Sequence, residues 1–131
     1  MDEPADRHTL TEKVRLGELF SVDCPSREVL KSVSSLWGVL CLISLRERTL
    51  RFSELRRSAT GVSEKMLAQT LKRLEEDGFV LRHALETVPP HVEYSLTDLG
   101  LQVSERVVAL VDWIELNTPH VMAFRRERAG P

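Results

Sequence analysis

Between Phe52 and Thr97 the chain carries two helical patterns separated by a glycine, then two alternating runs on either side of a proline pair. In the second helical pattern Leu67, Leu71 and Leu74 recur at i, i+4 and i+7, which stacks them on one face of an α-helix and scatters them on a strand. Ser63 stands where such a helix needs an oxygen acceptor for its free N–H groups, and Gly78 stands just past its end, where a left-handed residue closes it. Gly61 supplies the turn from a short helix over RFSELRR, with Ser53 as the expected cap and Leu55 as the buried side chain. After Gly78, residues from Phe79 to Leu85 and from His91 to Leu96 read as strands, because Val92, Tyr94 and Leu96 alternate with His91, Glu93 and Ser95. Glu86 to Pro90 is the loop between them, since consecutive prolines donate nothing to a ladder.

Helix, turn, helix and β-ribbon in that order predict a winged helix-turn-helix, mainly α with a small β-hairpin (α+β). The recognition helix is expected over about 63–77 and the wing over about 79–96. At 131 residues the chain supports one core. Residues 1–9 read as a flexible tail, 10–117 as the domain with its flanking helices, and 118–131 as a C-terminal tail. Leu10, Val14, Leu16, Leu19 and Phe20 suggest a short amphipathic arm. Asp23-Cys24-Pro25-Ser26 is a helix start, with Val29, Leu30, Val33 and Leu36 on one stripe of that helix. From Leu36 to Arg48 the residues are apolar nearly all round, the mark of a central helix. The last helix starts at Thr97-Asp98, runs to about Asn117, and is longer than the small core requires.

Hydrophobic residues make up 42% and charged residues 29%, a globular balance. No apolar run approaches the roughly 20 residues of a membrane span. The acidic, polar opening MDEPADRHTLTEK does not read as a secretory signal, so a cytoplasmic location is expected. Cys24 and Cys41 form no zinc-like pair, and no metal or cofactor is expected. No Ser-His-Asp set, metal triad or phosphate loop appears with recognisable spacing, so the chain does not read as an enzyme.

The net charge is -2, which argues against indiscriminate coating of nucleic acid but says little about local fields. The basic residues are patterned. Between Arg46 and Arg57 lie five arginines against Glu47 and Glu54, and Arg51, Arg56 and Arg57 fall at the first helix of the turn motif. With Leu67, Leu71 and Leu74 toward the core, the opposite face of the second helix presents Lys65, Gln69 and Lys72, with Arg73 on its shoulder. Alone this is an ordinary solvated helix face; behind a helix-turn and before a hairpin it suits double-stranded DNA. Gln69 can bond an adenine edge and Lys65 a guanine edge, whereas Lys72 and Arg73 suit phosphates. Ser63 and the free N–H groups at the helix start add a phosphate contact. Glu75, Glu76 and Asp77 crowd the other end, so the N-terminal half is expected in the groove. On the wing, Arg82 and His83 on the first strand and His91 on the second are the candidates for the flanking groove or its phosphates.

CPSREVL, the Trp37 helix, RFSELRR, GVSEKMLAQTLKRLEEDG and VPPHVEYSLTDLG together resemble the HxlR-type family of bacterial winged-helix transcription regulators, over about Cys24 to Trp113. The resemblance implies a homodimer built from the first and last helices, bound to a pseudo-palindromic operator, repressing or activating a neighbouring gene. It also implies that Cys24, at the family's Cys-Pro position, senses electrophiles or oxidants, with an electrophile or small molecule as inducer. A thiol at a helix N-terminus has a stabilised thiolate, which supports that reading; a partly buried small hydrophobe at a dimer interface is the plainer alternative. Two departures subtract positive charge: Leu36 replaces the usual Lys before Trp37, and His91 replaces the Arg many members carry after the prolines. A shallower salt dependence is therefore expected. The competing functional reading is a winged helix that has lost DNA reading and serves as a protein-interaction module.

Overall fold

A computed structural model describes residues 9–15 and 25–131. In chain order it contains α1 (Leu10–Arg15), α2 (Pro25–Ser34), α3 (Leu36–Ser44), β1 (Leu50–Arg51), α4 (Phe52–Ser58), α5 (Glu64–Glu76), β2 (Val80–Leu85), β3 (His91–Leu96) and α6 (Asp98–Ala129). The expected tail over 1–9 lies, but for Thr9, outside the described residues, as do Leu16, Leu19, Phe20 and the Asp23-Cys24 helix start.

Two of the predicted helices are separated by a serine. Ser35 breaks the chain after α2 and caps α3, its Oγ accepting from the Gly38 N–H at 3.1 Å. That break takes Leu36 off the expected Val29, Leu30, Val33, Leu36 stripe and leaves it exposed; within α2 itself Val33 is buried and Leu30 is exposed. The helix that follows is central, as its all-round apolar sequence predicts. Cys41, Leu42 and Leu45 are buried, and Trp37, Val39, Leu40 and Ile43 pack around them. α3 ends at Ser44, earlier than the apolar run suggested, with Leu45 as its C-cap.

α4 begins one residue before the expected cap. Arg51 rather than Ser53 occupies the N-cap, and its N–H is satisfied by Glu54 Oε1 at 2.9 Å, reaching back from the first turn. Strand β1 pairs with β3 immediately before this helix, which moves the chain out of extended geometry at Phe52 and leaves Ser53 inside the helix. The β-structure is therefore a three-stranded antiparallel sheet in the order β1-β3-β2 rather than a hairpin alone.

α5 closes in a Schellman motif. Asp77 is the C-cap, Gly78 takes φ +80°, the Phe79 N–H donates to Leu74 O at 2.9 Å and the Gly78 N–H to Glu75 O at 3.0 Å. Phe79 and Leu74 are both buried, which supplies the apolar contact of that motif. The chain then enters β2, and Thr97 ties the far end of the wing back to the same place. Its N–H donates to Phe79 O at 3.1 Å, its hydroxyl donates to Gly78 O at 2.5 Å, and the hydroxyl oxygen accepts from the Gly100 N–H at 3.0 Å as the cap of α6. The helix passes so close that a Cβ on Gly100 would lie 1.9 Å from Phe79 O. Wing, recognition-helix terminus and α6 thus share one joint.

α6 is the main departure in length. It continues to Ala129, so residues 118–129, expected as a tail, are helical, and at 32 residues the helix spans about 48 Å. Asn117-Thr118-Pro119 reads as a stop, because Pro119 lacks the N–H that would bond the carbonyl one turn back. The helix continues through it, with Asn117 Nδ2 and Thr118 Oγ1 donating to Trp113 O and Ile114 O at 2.8 and 2.6 Å. Pro119→Ala should therefore raise the stability of α6, by at most about 3 kcal/mol. The check is thermal unfolding followed by circular dichroism; an unchanged or lower midpoint would show that the proline's lost bond is offset in place.

Candidate nucleic-acid interface

The recognition helix has the rotation that its leucines dictate. Leu67, Leu71 and Leu74 are at most 1% exposed, while Lys65, Gln69, Lys72 and Arg73 are all exposed. Ser63 caps the helix, its Oγ accepting from the Met66 N–H at 3.1 Å. The acids Glu75, Glu76 and Asp77 sit exposed at the opposite end.

The wing divides the remaining candidates between two faces. Register pairs Arg82 with Tyr94, which in turn pairs with Leu50, and pairs Leu85 with His91 and His83 with Glu93. Side chains alternate along a strand, so Arg82 shares a face with Tyr94 and Leu50, whereas His83, His91 and Arg51 share the other with Glu93. Leu50 and Tyr94 are buried, which makes the Arg82 face the inner one. From there Arg82 lines an open hollow of about 420 Å³ together with Ala68, Lys72 and Glu75 of α5 and with Tyr94. The fold thus brings Lys72 and Arg82, from two elements, to one hollow that Glu75 also lines. His91 is half-buried on the outer face, and Arg51 lies opposite Glu93.

The arginine cluster is also split. Arg46 and Arg48 line a hollow beside Thr97 and Asp98 at the start of α6. Arg56 and Arg57 stand on the exposed side of α4 and line a different hollow with Phe52, Ser53 and Glu64. Arg57 has no ion pair among the described residues, but Arg56 donates to Glu64 at 2.6 Å. Glu64 is the residue that sequence reasoning missed: its partner is eight positions away across a turn, and no local pattern signals such a pair.

Residues 32–122 match the family model for the HxlR-like helix-turn-helix. The chain belongs to the HxlR-like family. This HxlR-family chain is 64% identical over 122 residues to YtfH of Escherichia coli K12, an uncharacterised HTH-type transcriptional regulator, covering 93% of this chain and 97% of the relative. A solved structure of the YtfH transcriptional regulator from Salmonella typhimurium superposes with a TM-score of 0.79 at 64% identity, covering 83% of this chain and 97% of that one. The redox regulator HypR in its reduced form superposes with a TM-score of 0.70 at 31% identity, covering 76% and 99%. The HxlR-family chain is accordingly a transcriptional regulator of winged-helix architecture, with the fold class expected from its elements.

Among the described residues no group of three or more His, Cys, Asp or Glu side chains is placed to hold a metal ion, and no helix is long and apolar enough to cross a membrane. Cys24 lies outside the described residues. Cys41 is a buried free thiol in α3, and burial pushes it from 9.0 up to about 12. Its thiolate is therefore negligible at neutral pH, and a thiol reagent at pH 8 should leave Cys41 unmodified in the native protein and label it only on unfolding. Mass spectrometry of the labelled peptides reads this, and native labelling at the rate of a free thiol would contradict it. Because the folded state raises this pKa, the neutral thiol's contribution to stability is complete below pH 9 and is lost as pH rises through about 12.

Proposed function

We propose that the protein binds a pseudo-palindromic operator as a homodimer, with α5 in the major groove and the wing at the flanking groove. The observation that carries this reading is the exposed Lys65, Gln69, Lys72 and Arg73 face of α5, opposite its buried leucines and continued by Arg82 across the shared hollow. Gln69 and Lys65 are assigned to base edges, and Ser63, Lys72, Arg73 and Arg82 to phosphates. Arg51 and His91, on the outer wing face, are assigned to peripheral contacts. The exposed Leu110, Trp113, Ile114, Leu116 and Phe124 of α6 support dimerisation through that helix, because a contiguous apolar face on a soluble chain calls for a partner.

The test is a titration against DNA from immediately upstream of the gene, with unrelated competitor DNA and at two salt concentrations, on protein whose mass in solution is measured in parallel. Tight, competitor-resistant binding that weakens with salt supports the operator reading. A folded dimer that binds no promoter would favour the protein-interaction module instead. The structural likeness to HypR supports assigning oxidant or electrophile sensing to Cys24. A Cys24→Ser variant whose DNA binding responds to diamide and quinones as the parent's does would remove that assignment.

A further inference from the structure

Arg56 Nη1 donates to Glu64 Oε1 at 2.6 Å, joining the last turn of α4 to the first residue of α5. The two side chains are 47% and 70% exposed, and a solvated pair of this kind contributes little to stability. Its consequence is geometric. Among the described residues one of the guanidinium's N–H groups is committed, and Arg56 lines an open hollow of about 390 Å³ with Phe52, Ser53, Arg57 and Glu64. Arg56, Arg57 and Ser53 thus line one concavity, and one oxygen of its Glu64 carboxylate is already bonded to Arg56. That is the donor set a phosphodiester asks for. In helix-turn-helix proteins the first helix of the motif crosses the DNA backbone, and Arg56 and Arg57 lie on that helix here, α4.

We propose that this hollow seats a DNA backbone phosphate between Arg56 and Arg57, and that Glu64 is the positioning residue that holds Arg56 for it. The assignment rests on the DNA reading above and adds a contact on α4 that depends on an acid. The sign of the effect separates it from plain electrostatics. An acid beside a polyanion repels it, so removal of Glu64 acting only as a charge would tighten binding. Removal of a positioning residue loosens it.

The experiment titrates the parent, Glu64→Ala, Glu64→Gln, Arg56→Ala and the Arg56→Ala/Glu64→Ala pair against an operator duplex and a scrambled duplex. Each variant is first shown to unfold at the parent's midpoint. Glu64→Ala is expected to weaken binding to both duplexes about two- to fivefold, with Glu64→Gln, which keeps an acceptor, in between. In the Arg56→Ala background Glu64→Ala should leave binding unchanged or tighten it. Tightening by Glu64→Ala in the otherwise native chain, or losses that simply add in the double variant, would overturn the proposal. A parent that binds neither duplex would defeat the DNA reading itself, so the parent's own titration distinguishes the two failures.

Discussion

Leu71→Ala is expected to cost about 2 to 5 kcal/mol of folding stability, the largest effect of any single substitution considered for this chain. Leu71 is 1% exposed, between Leu67 and Leu74 on the inner face of α5, in the same core as Leu42 and Leu55. Truncation removes buried methyl groups and leaves a cavity that the packed elements around α5, α3 among them, cannot fill without moving. Urea unfolding should show a lower midpoint at an unchanged slope. Lys65→Ala, on the exposed face of the same helix, should move the midpoint by no more than about 0.5 kcal/mol equivalent. Equal losses from the two substitutions would mean that the helix is not rotated as described.

Gln69→Ala is expected to relax base preference at one position of each half-site, at a cost of about 1 to 3 kcal/mol in specific binding. Lys72→Ala should weaken every sequence alike and reduce the salt slope by about one. The difference follows from what each side chain can offer: an amide both donates and accepts along a base edge, whereas an ammonium is a point charge for phosphates. Because Lys72 and Arg82 line one hollow, Lys72→Ala and Arg82→Ala together should cost less than the sum of the separate losses. Selection from a randomised operator pool reads the first effect and salt titration the second. Unchanged specific binding in both Gln69→Ala and Lys72→Ala would place a different face of α5 in the groove.

The parts of the fold that were legible in the sequence are those set by local spacing and caps. The leucines of α5, Ser63 at its start and Gly78 at its end act within one or two turns, and a helix of 13 residues follows from them. The apolar run of α3 and the alternation in β3 are of the same kind. Errors arose where a local signal was overruled. Pro119 reads as a terminator, since it leaves the Glu115 carbonyl without its backbone donor, yet α6 runs on to Ala129. Ser53 is the better cap by residue type, yet pairing of β1 with β3 sets the entry of α4 at Arg51.

The candidate site shows the same division. By itself the sequence determined which residues of α5 face outward, because a helix repeats every 3.6 residues whatever surrounds it. It also determined the order of helix, turn, helix and ribbon, and through its ordered motifs the family. Only the tertiary structure decided that Arg82 joins Lys72 while Arg51 and His91 lie across the sheet, since strand register and the packing of the wing on α5 are needed to relate them. Only it decided that Arg56 is paired with Glu64 while Arg57, lining the same hollow, has no ion pair among the described residues. Those relations join residues remote along the chain or separated by a turn, and their geometry is created by the burial of a common core.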